Sequence, residues 1–366
     1  MSNQDTYRFL FAGGGTGGHL FPAIAVAQKI REIRPEANIL FVGTKTKIEG
    51  TVVPKLGFDF RSIWIKGFSR KFNLENLLFP LKLFVSVVQS LFISLKFKPK
   101  VSIGSGGYVS GPALWAAHLL GSKLVLLEQN SFPGKTTKLL EKYSHEIHLS
   151  FESSLKHFQN KDKCFITGNP VRVDIKLFDK KKAQEHFGFS ESKKVIAVIG
   201  GSLGAKSLNE AVASSVNDLQ NNNIQIIWQV GKNYLNEYKK YESAMVKVFA
   251  FIDDISKVYS AADLIIARAG ATTIAEITTL GLASLLVPSP NVAENHQYYN
   301  AKSLSDHSAA VLLEDKSLSN RFFIEVKRIL HDEVLLTELR TESKKLGKPN
   351  AVDVIAHRVI SLAEAN

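Results

Sequence analysis

One stretch near the N-terminus, residues 9–30, constrains the fold more than any other part of the chain. A short apolar run at 9–12 is followed by a glycine-dense turn at 13–18 and, from Leu20 onward, by apolar residues at helical spacing. This order of strand, glycine turn and helix opens nucleotide-binding βαβ units. Glycines let the backbone come close to a ligand, and the helix start offers N–H groups that lack an intrahelical partner. The sequence therefore predicts that this turn accepts an anion.

The glycine spacing also fits the dinucleotide fingerprint, which requires an acidic residue at the end of the second strand to bind a ribose. The second predicted strand, residues 38–42, continues instead into Gly43, Thr44 and Lys45. A dinucleotide-dependent oxidoreductase and a turn with only a structural role are therefore the less favoured alternatives.

Strand-like and helical patterns alternate along the chain, which predicts an α/β protein with doubly wound parallel sheets. The strand and glycine opening occurs twice, and a length of 366 residues favours two domains. The join is predicted near 165–174, and the cleft between the two halves is the expected active site. The predicted strands are 9–12, 38–42, 101–103 and 123–127 in the first half, and 194–200, 225–230, 246–251, 263–267 and 283–287 in the second.

Charge and cysteine content limit the partners and the compartment. A net charge of +12 and a pI of about 9.5 indicate an anionic partner, which leaves nucleic acid, anionic lipid and nucleotide substrates open. Cys164 is the only cysteine, which excludes an internal disulfide framework and favours a reducing cytoplasm. The polar N-terminus predicts no secretory signal, and no histidines or carboxylates stand at metal-ligand spacing.

Residues 61–100 differ from their surroundings because they carry eight basic residues against one acidic residue, Glu75. Aromatic and leucine side chains lie between the basic ones, a combination that interfacial membrane segments use. Residues 64–84 are therefore predicted to contact a membrane surface. Residues 83–95 form an uncharged run of 13 residues, too short to span a bilayer, and are predicted to be a core helix with a solvated basic rim.

A further glycine turn follows the predicted strand at 101–103 in the first half. Two anion-accepting turns in one domain suggest a large phosphorylated ligand, such as a diphosphate. The residues predicted to hold it are Gly14, Gly15, Gly104, Ser105, Gly106, Gly107 and Tyr108.

In the second half, residues 262–276 have the pattern of a strand, a glycine turn and a helix. Thr272 and Thr273 are predicted to cap this helix and to point its N–H groups at phosphate. Glu276 is predicted in the first helical turn, where it either binds a ribose diol or interacts favourably with the helix N-terminus. Gln297 and Asn300 are three residues apart on one face of the next predicted helix, where they could read sugar hydroxyls.

Taken together, these motifs resemble the MurG family of glycosyltransferases of peptidoglycan synthesis. They occur in the family's order and cover nearly the whole chain. The matching segments are Gly14-Gly-Thr16-Gly-Gly-His19, Gly104-Ser-Gly106-Gly107-Tyr108-Val-Ser-Gly111-Pro112, Glu128-Gln129-Asn130, Gly168-Asn-Pro170-Val-Arg172, Gly200-Gly-Ser202-x-Gly204-Ala205, Arg268-x-Gly270-Ala and His296-Gln297-x-x-Asn300-Ala. Leu203 replaces the family's usual glutamine and Ala269 its usual serine, so any contacts of those side chains are lost here.

The resemblance implies the GT-B fold, in which two Rossmann-like doubly wound parallel-sheet domains face each other across a cleft. Residues 1–165 would bind the acceptor and the membrane, residues 166–350 would bind the donor, and the C-terminal helix at 351–366 would pack back on the first domain. The implied reaction moves N-acetylglucosamine, with inversion, from UDP-N-acetylglucosamine to the 4-hydroxyl of the muramyl unit of lipid I, which gives lipid II. No cofactor and no essential metal are expected.

The resemblance also implies site residues. His19 is the predicted general base, with Glu128 as the alternative. Thr16, Gly17, Gly18 and Asn130 would approach the donor sugar from the first domain. The implied donor-binding residues of the second half are Arg172, Ser202, Ile252, Ala271, Thr272, Thr273, Ile274, Ala275, Glu276 and Gln297, to which the shared helix face adds Asn300.

The implied partners are UDP-N-acetylglucosamine, lipid I, the anionic membrane surface and other cell-wall synthesis proteins, with no nucleic acid. The implied location is peripheral, on the cytoplasmic side of the cell membrane. Three alternatives stay open: a related GT-B glycolipid synthase with a diacylglycerol acceptor, a UDP-N-acetylglucosamine epimerase, and a non-catalytic nucleotide- or lipid-binding protein.

Overall fold

The computed structural model describes residues 7–67, 78–171, 175–201 and 203–365. The chain divides into two compact units. The first unit consists of Met1–Val173 together with Lys348–Asn366, and the second of Asp174–Gly347. The division after residue 173 lies within the predicted join at 165–174.

The first unit is built on a seven-stranded sheet with the strand order β3-β2-β1-β4-β5-β6-β7, and all its strand pairs are parallel. The strands are β1 (Arg8–Ala12), β2 (Asn38–Gly43), β3 (Asp59–Ser62), β4 (Val101–Gly104), β5 (Lys123–Glu128), β6 (Glu146–Leu149) and β7 (Cys164–Phe165). Its helices are α1 (Gly17–Ile33), α2 (Ile48–Lys55), α3 (Phe79–Phe97), α4 (Ser110–Leu119) and α5 (Lys135–Leu140).

The second unit repeats this plan with a six-stranded parallel sheet of order β10-β9-β8-β11-β12-β13. The strands are β8 (Lys194–Ile199), β9 (Ile224–Gln229), β10 (Val246–Phe249), β11 (Leu264–Ala267), β12 (Ser284–Leu286) and β13 (Val311–Leu312). The helices are α6 (Lys180–His186), α7 (Lys206–Asn221), α8 (Leu235–Tyr238), α9 (Ile255–Ala261), α10 (Ala271–Leu280), α11 (His296–Ser305), α12 (Leu318–His331) and α13 (Glu333–Leu346).

The two sheets confirm the predicted fold class and each predicted strand. The central strands are covered on both faces, which is why they read as continuous apolar runs. In the first unit, the rings of Phe11 and Phe41 stack with centroids 5.1 Å apart. The sequence missed β3, β6, β7 and β13, which have two to four residues each and lie at or near sheet edges, where the apolar pattern is short.

The strand order decides which loops meet. β1 and β4 are neighbours in the first sheet, so the glycine turns that follow their carboxyl ends lie side by side. β8 and β11 are neighbours in the second sheet, with the same consequence for the loops around Gly200 and Gly270. Each unit therefore has two glycine turns side by side at the carboxyl ends of neighbouring central strands.

The last helix, α14 (Ala351–Glu364), packs against α1 and belongs to the first unit. Ile355, Ala356 and Val359 are fully buried in that contact. Tyr7 Oη donates a hydrogen bond of 2.6 Å to Glu364 Oε1 at the end of the helix. The chain thus returns from the second unit to complete the first one.

Helix α3 corrects the prediction that residues 83–95 form a core helix. Its buried face consists of Ser86, Ser90 and Ser94, while Phe84 and Phe92 on the outer face are 67% and 69% exposed. Two of the serines satisfy their hydroxyls within the helix, since Ser86 Oγ donates to Leu83 O and Ser90 Oγ to Ser86 O. Small side chains let this face pack closely against α4, so the bulky apolar residues are left outside.

Among the described residues, α3 is also the one helix whose length and composition would suffice to cross a membrane, with 19 residues and a mean hydropathy of 1.4. The prediction that the stretch is too short considered only the uncharged residues 83–95. The helix connects β3 to β4 in one sheet, as the crossover of a βαβ unit does.

Candidate active site

The predicted base, His19, lies at the start of α1, next to the first glycine turn. Its Nδ1 atom is 2.9 Å from the carbonyl oxygen of Ser105 and 3.2 Å from Gln129 Oε1. A carbonyl oxygen can only accept a hydrogen bond, so Nδ1 carries the hydrogen and Nε2 is the basic nitrogen. The side chain is half-buried. His19 thus has a fixed ring orientation and a nitrogen that can take up a proton.

The second glycine turn supports this histidine from the side. Gly106 and Gly107 have φ angles of +94° and +78°, which strongly favour glycine. A Cβ atom on Gly106 would lie 2.9 Å from His19 Nδ1, and one on Gly107 would lie 2.8 Å from Gly14 O. Ser110 Oγ donates to Ala12 O over 2.7 Å and ties the start of α4 to the end of β1. The two turns therefore form one packed unit around His19.

A buried carboxylate that the sequence analysis did not single out binds the first turn. Glu49, in α2, is 1% exposed, and its Oε2 accepts a hydrogen bond of 3.0 Å from Gly15 N. Glu49 is an acidic residue six positions beyond the end of β2, and this position could have drawn attention to it. The rule for the dinucleotide fingerprint inspects only the strand end.

Glu128, the alternative base, is buried at the end of β5. Its Oε1 accepts from Asn130 N at 3.0 Å and its Oε2 from Gly134 N at 3.1 Å. Burial raises the pKa of this carboxyl group, and the hydrogen bonds from the loop act in the opposite direction. These contacts fix the loop that carries Asn130, so they favour a positioning role over proton abstraction.

In the second unit, a cavity of about 690 Å³ lies at the carboxyl edge of the sheet. The glycine turn after β8 and the start of α7 form one side of it, and the loops after β11 and β12 form the other. Its polar lining residues include Lys206, Ser207, Arg268, Thr273, Ser289, Gln297 and Asp315. This place, outside the carboxyl ends of parallel strands, is where open α/β sheets bind ligands.

Arg268, for which no role was predicted, connects the loop after β12 to Ser207 and Asp315 on one side of the cavity. Its guanidinium forms an ion pair with Asp315 and donates to Ser207 Oγ over 2.8 Å. It also donates to the carbonyl groups of Val287 and Pro288 at 3.2 and 3.3 Å. The side chains of Arg268 and Asp315 are only 15% and 19% exposed. Because Asp315 is far away in sequence and has no motif around it, no local signal could have predicted this pair.

Some of the predicted donor residues line the cavity, and others are buried inside the unit. Gln297 and Thr273 line the cavity, and Gln297 Oε1 accepts from Ser289 N at 2.9 Å. Asn300 is fully buried, and its Nδ2 donates to Ala269 O over 3.2 Å. The prediction that Asn300 reads sugar hydroxyls is therefore wrong, because its amide holds a backbone group inside the unit.

The predicted capping of α10 by threonines is also wrong. The N-cap is Gly270 in an extended conformation, and no side chain caps the helix. Because the helix starts at Ala271, Glu276 lies in its second turn and not in the first, as had been predicted. Glu276 is 9% exposed, and its Oε2 accepts a hydrogen bond of 2.7 Å from Tyr259 Oη. This placement weakens the interpretation of Glu276 as a favourable charge at the helix N-terminus.

The structure also locates three further predicted donor residues. Ile252 is half-buried in the loop after β10, and Ala271 and Ile274 are buried in α10. Arg172 and Ser202 lie outside the described residues. Among the residues that the structure describes, no three histidine, cysteine or acidic side chains are grouped so as to hold a metal ion.

Two Rossmann-like units, each with glycine turns at the carboxyl edge of a parallel sheet, have the architecture of the GT-B fold, and the family models identify the class as a glycosyltransferase. Models of the glycosyltransferase family 28 N-terminal and C-terminal domains match residues 9–149 and 195–355. The chain belongs to glycosyltransferase family 28.

Curated relatives extend this result to nearly the whole chain. A protein of Flavobacterium psychrophilum is 42% identical over 99% of both chains. A protein of Clostridioides difficile is 40% identical over 97% of this chain and 89% of its own length. Both are named UDP-N-acetylglucosamine--N-acetylmuramyl-(pentapeptide) pyrophosphoryl-undecaprenol N-acetylglucosamine transferase.

Solved structures are similar over the same extent. The crystal structure of Acinetobacter baumannii MurG has a TM-score of 0.78 and 27% identity, with 96% of this chain and 98% of that chain covered. A putative UDP-N-acetylglucosamine 2-epimerase from Listeria monocytogenes has a TM-score of 0.66 at 11% identity, which indicates a shared fold only.

Proposed function

We propose that this protein is the transferase that converts lipid I into lipid II. It moves N-acetylglucosamine from UDP-N-acetylglucosamine to the 4-hydroxyl of the muramyl unit, with inversion at the anomeric carbon. The observation that carries the proposal is the match of both units to relatives that bear this transferase name.

The second unit supplies the donor site. Its cavity of about 690 Å³ is large enough for a nucleotide sugar. Gln297 and Thr273 face the ligand from α11 and α10, and the glycine turn and the start of α7 face the diphosphate with backbone N–H groups. Glu276, oriented by Tyr259, accepts hydrogen bonds from the ribose. Arg172 and Ser202 complete the set, on the strength of the sequence resemblance alone.

The first unit supplies the acceptor site and the base. The acceptor hydroxyl gives its proton to His19 Nε2 as its oxygen attacks the anomeric carbon, and UDP leaves with the electron pair of the broken bond. The hydrogen bond from Nδ1 to Ser105 O stabilises the imidazolium that forms. Thr16, Gly17, Gly18 and Asn130 contact the donor sugar during transfer.

No essential metal takes part in this proposal. Helix N-termini, Ser202 and Arg172 stabilise the charge on the leaving diphosphate, which is the role of a bound cation in other transferases. Initial rates measured in EDTA and in magnesium are therefore expected to be equal. A rate that disappears in the chelator and returns with magnesium would contradict this part of the proposal.

The enzyme works at the cytoplasmic membrane surface, where lipid I is held by its polyprenyl chain. The attachment site is the outer face of α3 with Phe84 and Phe92, together with Trp64, whose ring lies 5.7 Å from Lys82 Nζ. Much of the predicted contact region at 64–84, residues 68–77, lies outside the described residues. Apolar insertion combined with basic side chains gives reversible binding to anionic headgroups.

Vesicles that contain phosphatidylglycerol test this attachment. The double variant Phe84→Ser, Phe92→Ser is expected to bind them less tightly and to turn over lipid I more slowly, while binding of UDP-N-acetylglucosamine persists. The matched control is Ile324→Ser, Val334→Ser in the second unit, where both residues are more than half exposed. Wild-type binding should weaken with added salt, since screening acts over about 8 Å at physiological ionic strength. Equal vesicle binding by both double variants would contradict the assignment.

Incubation with radiolabelled UDP-N-acetylglucosamine, with and without lipid I, tests the reaction itself. Label is expected to enter a lipid product only when lipid I is present. A glycolipid synthase would label diacylglycerol instead, and an epimerase would change the sugar without any acceptor.

A further inference from the structure

The first glycine turn is bound by a carboxylate from the chain itself. Glu49 Oε2 accepts from Gly15 N at 3.0 Å, and Glu49 Oε1 accepts from Thr44 N at 3.0 Å and from Thr44 Oγ1 at 2.7 Å. The residue is 1% exposed. Burial of a carboxylate is costly unless donors surround it, and these three donors come from the turn and from the end of β2.

The glycines around this carboxylate are explained by its presence. A Cβ atom on Gly14 would lie 2.5 Å from Glu49 Oε1, and one on Gly43 would lie 2.5 Å from Glu49 Cγ. Neither distance is tolerable for a real side chain. Gly14 and Gly43 therefore make room for Glu49, whereas the sequence pattern had suggested room for a ligand.

We propose that Glu49 is the resident anion of the first glycine turn and a positioning residue for His19. Its carboxylate binds the Gly15 N–H that a substrate phosphate would otherwise use. The next residue, Thr16, accepts at its carbonyl oxygen from His19 N at 3.3 Å and from Leu20 N at 3.2 Å, so the same turn sets the start of α1. The effect on His19 rests on the proposed function, because only the transfer reaction requires that histidine as a base.

This assignment changes where a substrate phosphate can bind in the first unit. A second anion at Gly15 would meet the buried Glu49 carboxylate at close range, which is unfavourable. The acceptor diphosphate is left with the second turn, residues 104–107. Gly14 and Gly15, predicted from the sequence as part of the diphosphate site, serve Glu49 instead.

Chemical rescue tests the proposal without any need for substrate. Glu49→Ala is expected to lower the melting temperature, and sodium formate is expected to restore part of the loss when compared with sodium chloride at equal ionic strength. Wild type and the exposed control Glu152→Ala should show no formate-specific change. A formate-specific rise of the same size in wild type, or none in Glu49→Ala, would overturn the proposal.

Kinetics test the positioning role. Glu49→Gln keeps the volume but turns an NH₂ group toward N–H donors, so kcat is expected to fall about 10- to 100-fold through displacement of His19. The KM for UDP-N-acetylglucosamine should stay within about twofold. Because partial unfolding would also lower the apparent kcat at constant KM, kcat is expressed per folded enzyme, at a temperature well below the melting temperature of the variant. Formate should raise the kcat of Glu49→Ala. A wild-type kcat for Glu49→Gln would refute the positioning role.

One arm of the test requires no variant. In wild-type protein labelled with ¹⁵N-glycine, inorganic pyrophosphate is expected to shift the amide resonances of Gly106 and Gly107 more than that of Gly15, and a saturable shift that is largest at Gly15 would overturn the proposal. This result and the formate result stand even if the wild type transfers no sugar to lipid I. A failure of the proposed function is thereby distinguished from a failure of the role given to Glu49.

Discussion

The two units open with the same sequence pattern but use it differently. In the first unit, the turn after β1 binds the buried side chain of Glu49, because the Gly15 N–H donates a hydrogen bond to its carboxylate. In the second unit, the turn after β8 borders a cavity of about 690 Å³, whose charged lining residues are Lys206, Glu210, Arg268 and Asp315. A glycine turn at a helix start therefore offers N–H groups in both cases. Whether they serve the protein or a ligand depends on side chains that come from elsewhere in the fold.

The proposed function places proton transfer in the first unit and donor binding in the second, and His19→Ala tests this contrast with the largest expected effect. Removal of the basic nitrogen should lower kcat about 10²–10⁴-fold and leave the KM for the donor nearly unchanged. Steady-state rates at saturating lipid I provide the measurement, with the exposed His145→Ala as the control. A higher donor KM with an intact kcat would place His19 in donor binding and remove the contrast between the units.

Arg268→Ala tests the second unit in the opposite direction. It leaves Asp315 nearly buried without its cationic partner, so the free energy of unfolding is expected to fall by about 3 kcal/mol, as for other broken buried pairs. The KM for the donor should rise because Arg268 holds the loop at Val287 and Pro288. Urea unfolding and donor kinetics measure the two effects.

The control for this variant is Lys302→Ala, which removes a 51% exposed lysine from its pair with the 53% exposed Asp306 in the same unit. It should change stability by less than about 1 kcal/mol. Equal losses in the two variants would mean that the ion pair at the cavity has no special role.

The donor site can be sharpened through Glu276. If its carboxylate binds the ribose, wild type should use a 2′-deoxy donor less efficiently by about 1–3 kcal/mol in kcat/KM, because a buried acceptor loses a donor. Glu276→Ala should reduce this discrimination. Equal use of the two donors by the wild type would contradict the role of Glu276 in ribose binding.

The smallest effect is expected in acid, at the contact between β6 and α14 in the first unit. Burial raises the pKa of Glu146, but the neighbouring His148, whose Nε2 lies 3.2 Å from Glu146 Oε2, and two hydrogen bonds from Arg358 outweigh it, so the net pKa is lowered from its usual value of 4.5. A carboxyl group with a lowered folded pKa contributes stability above its unfolded pKa and loses it as the pH falls through the folded pKa. Hydrogen exchange of α14 should therefore increase below about pH 4.5, by an amount of about 1 kcal/mol or less. Glu146→Gln should abolish this pH dependence, and an unchanged dependence would exclude Glu146 as its source.

The core-helix prediction for residues 83–95 shows what a sequence pattern cannot specify. Residues 83–95 are apolar, and apolar residues at helical spacing usually indicate a core helix. The pattern alone does not say which face of the helix the protein covers. In α3 the covered face is the one with Ser86, Ser90 and Ser94, because these small residues allow a close approach to α4.

The two parallel sheets, the positions of the glycine turns and the family motifs could be predicted from the sequence, because strand alternation, glycine content and helix period are local properties. What each turn binds, and which polar residues face a cavity, depends on contacts between distant parts of the chain. Glu49 reaches Gly15 across 34 positions, Arg268 reaches Asp315 across 47, and Asn300 turns inward to Ala269 across 31. Such contacts depend on which strands are neighbours in the sheet, and the strand order cannot be predicted from any single segment of the sequence.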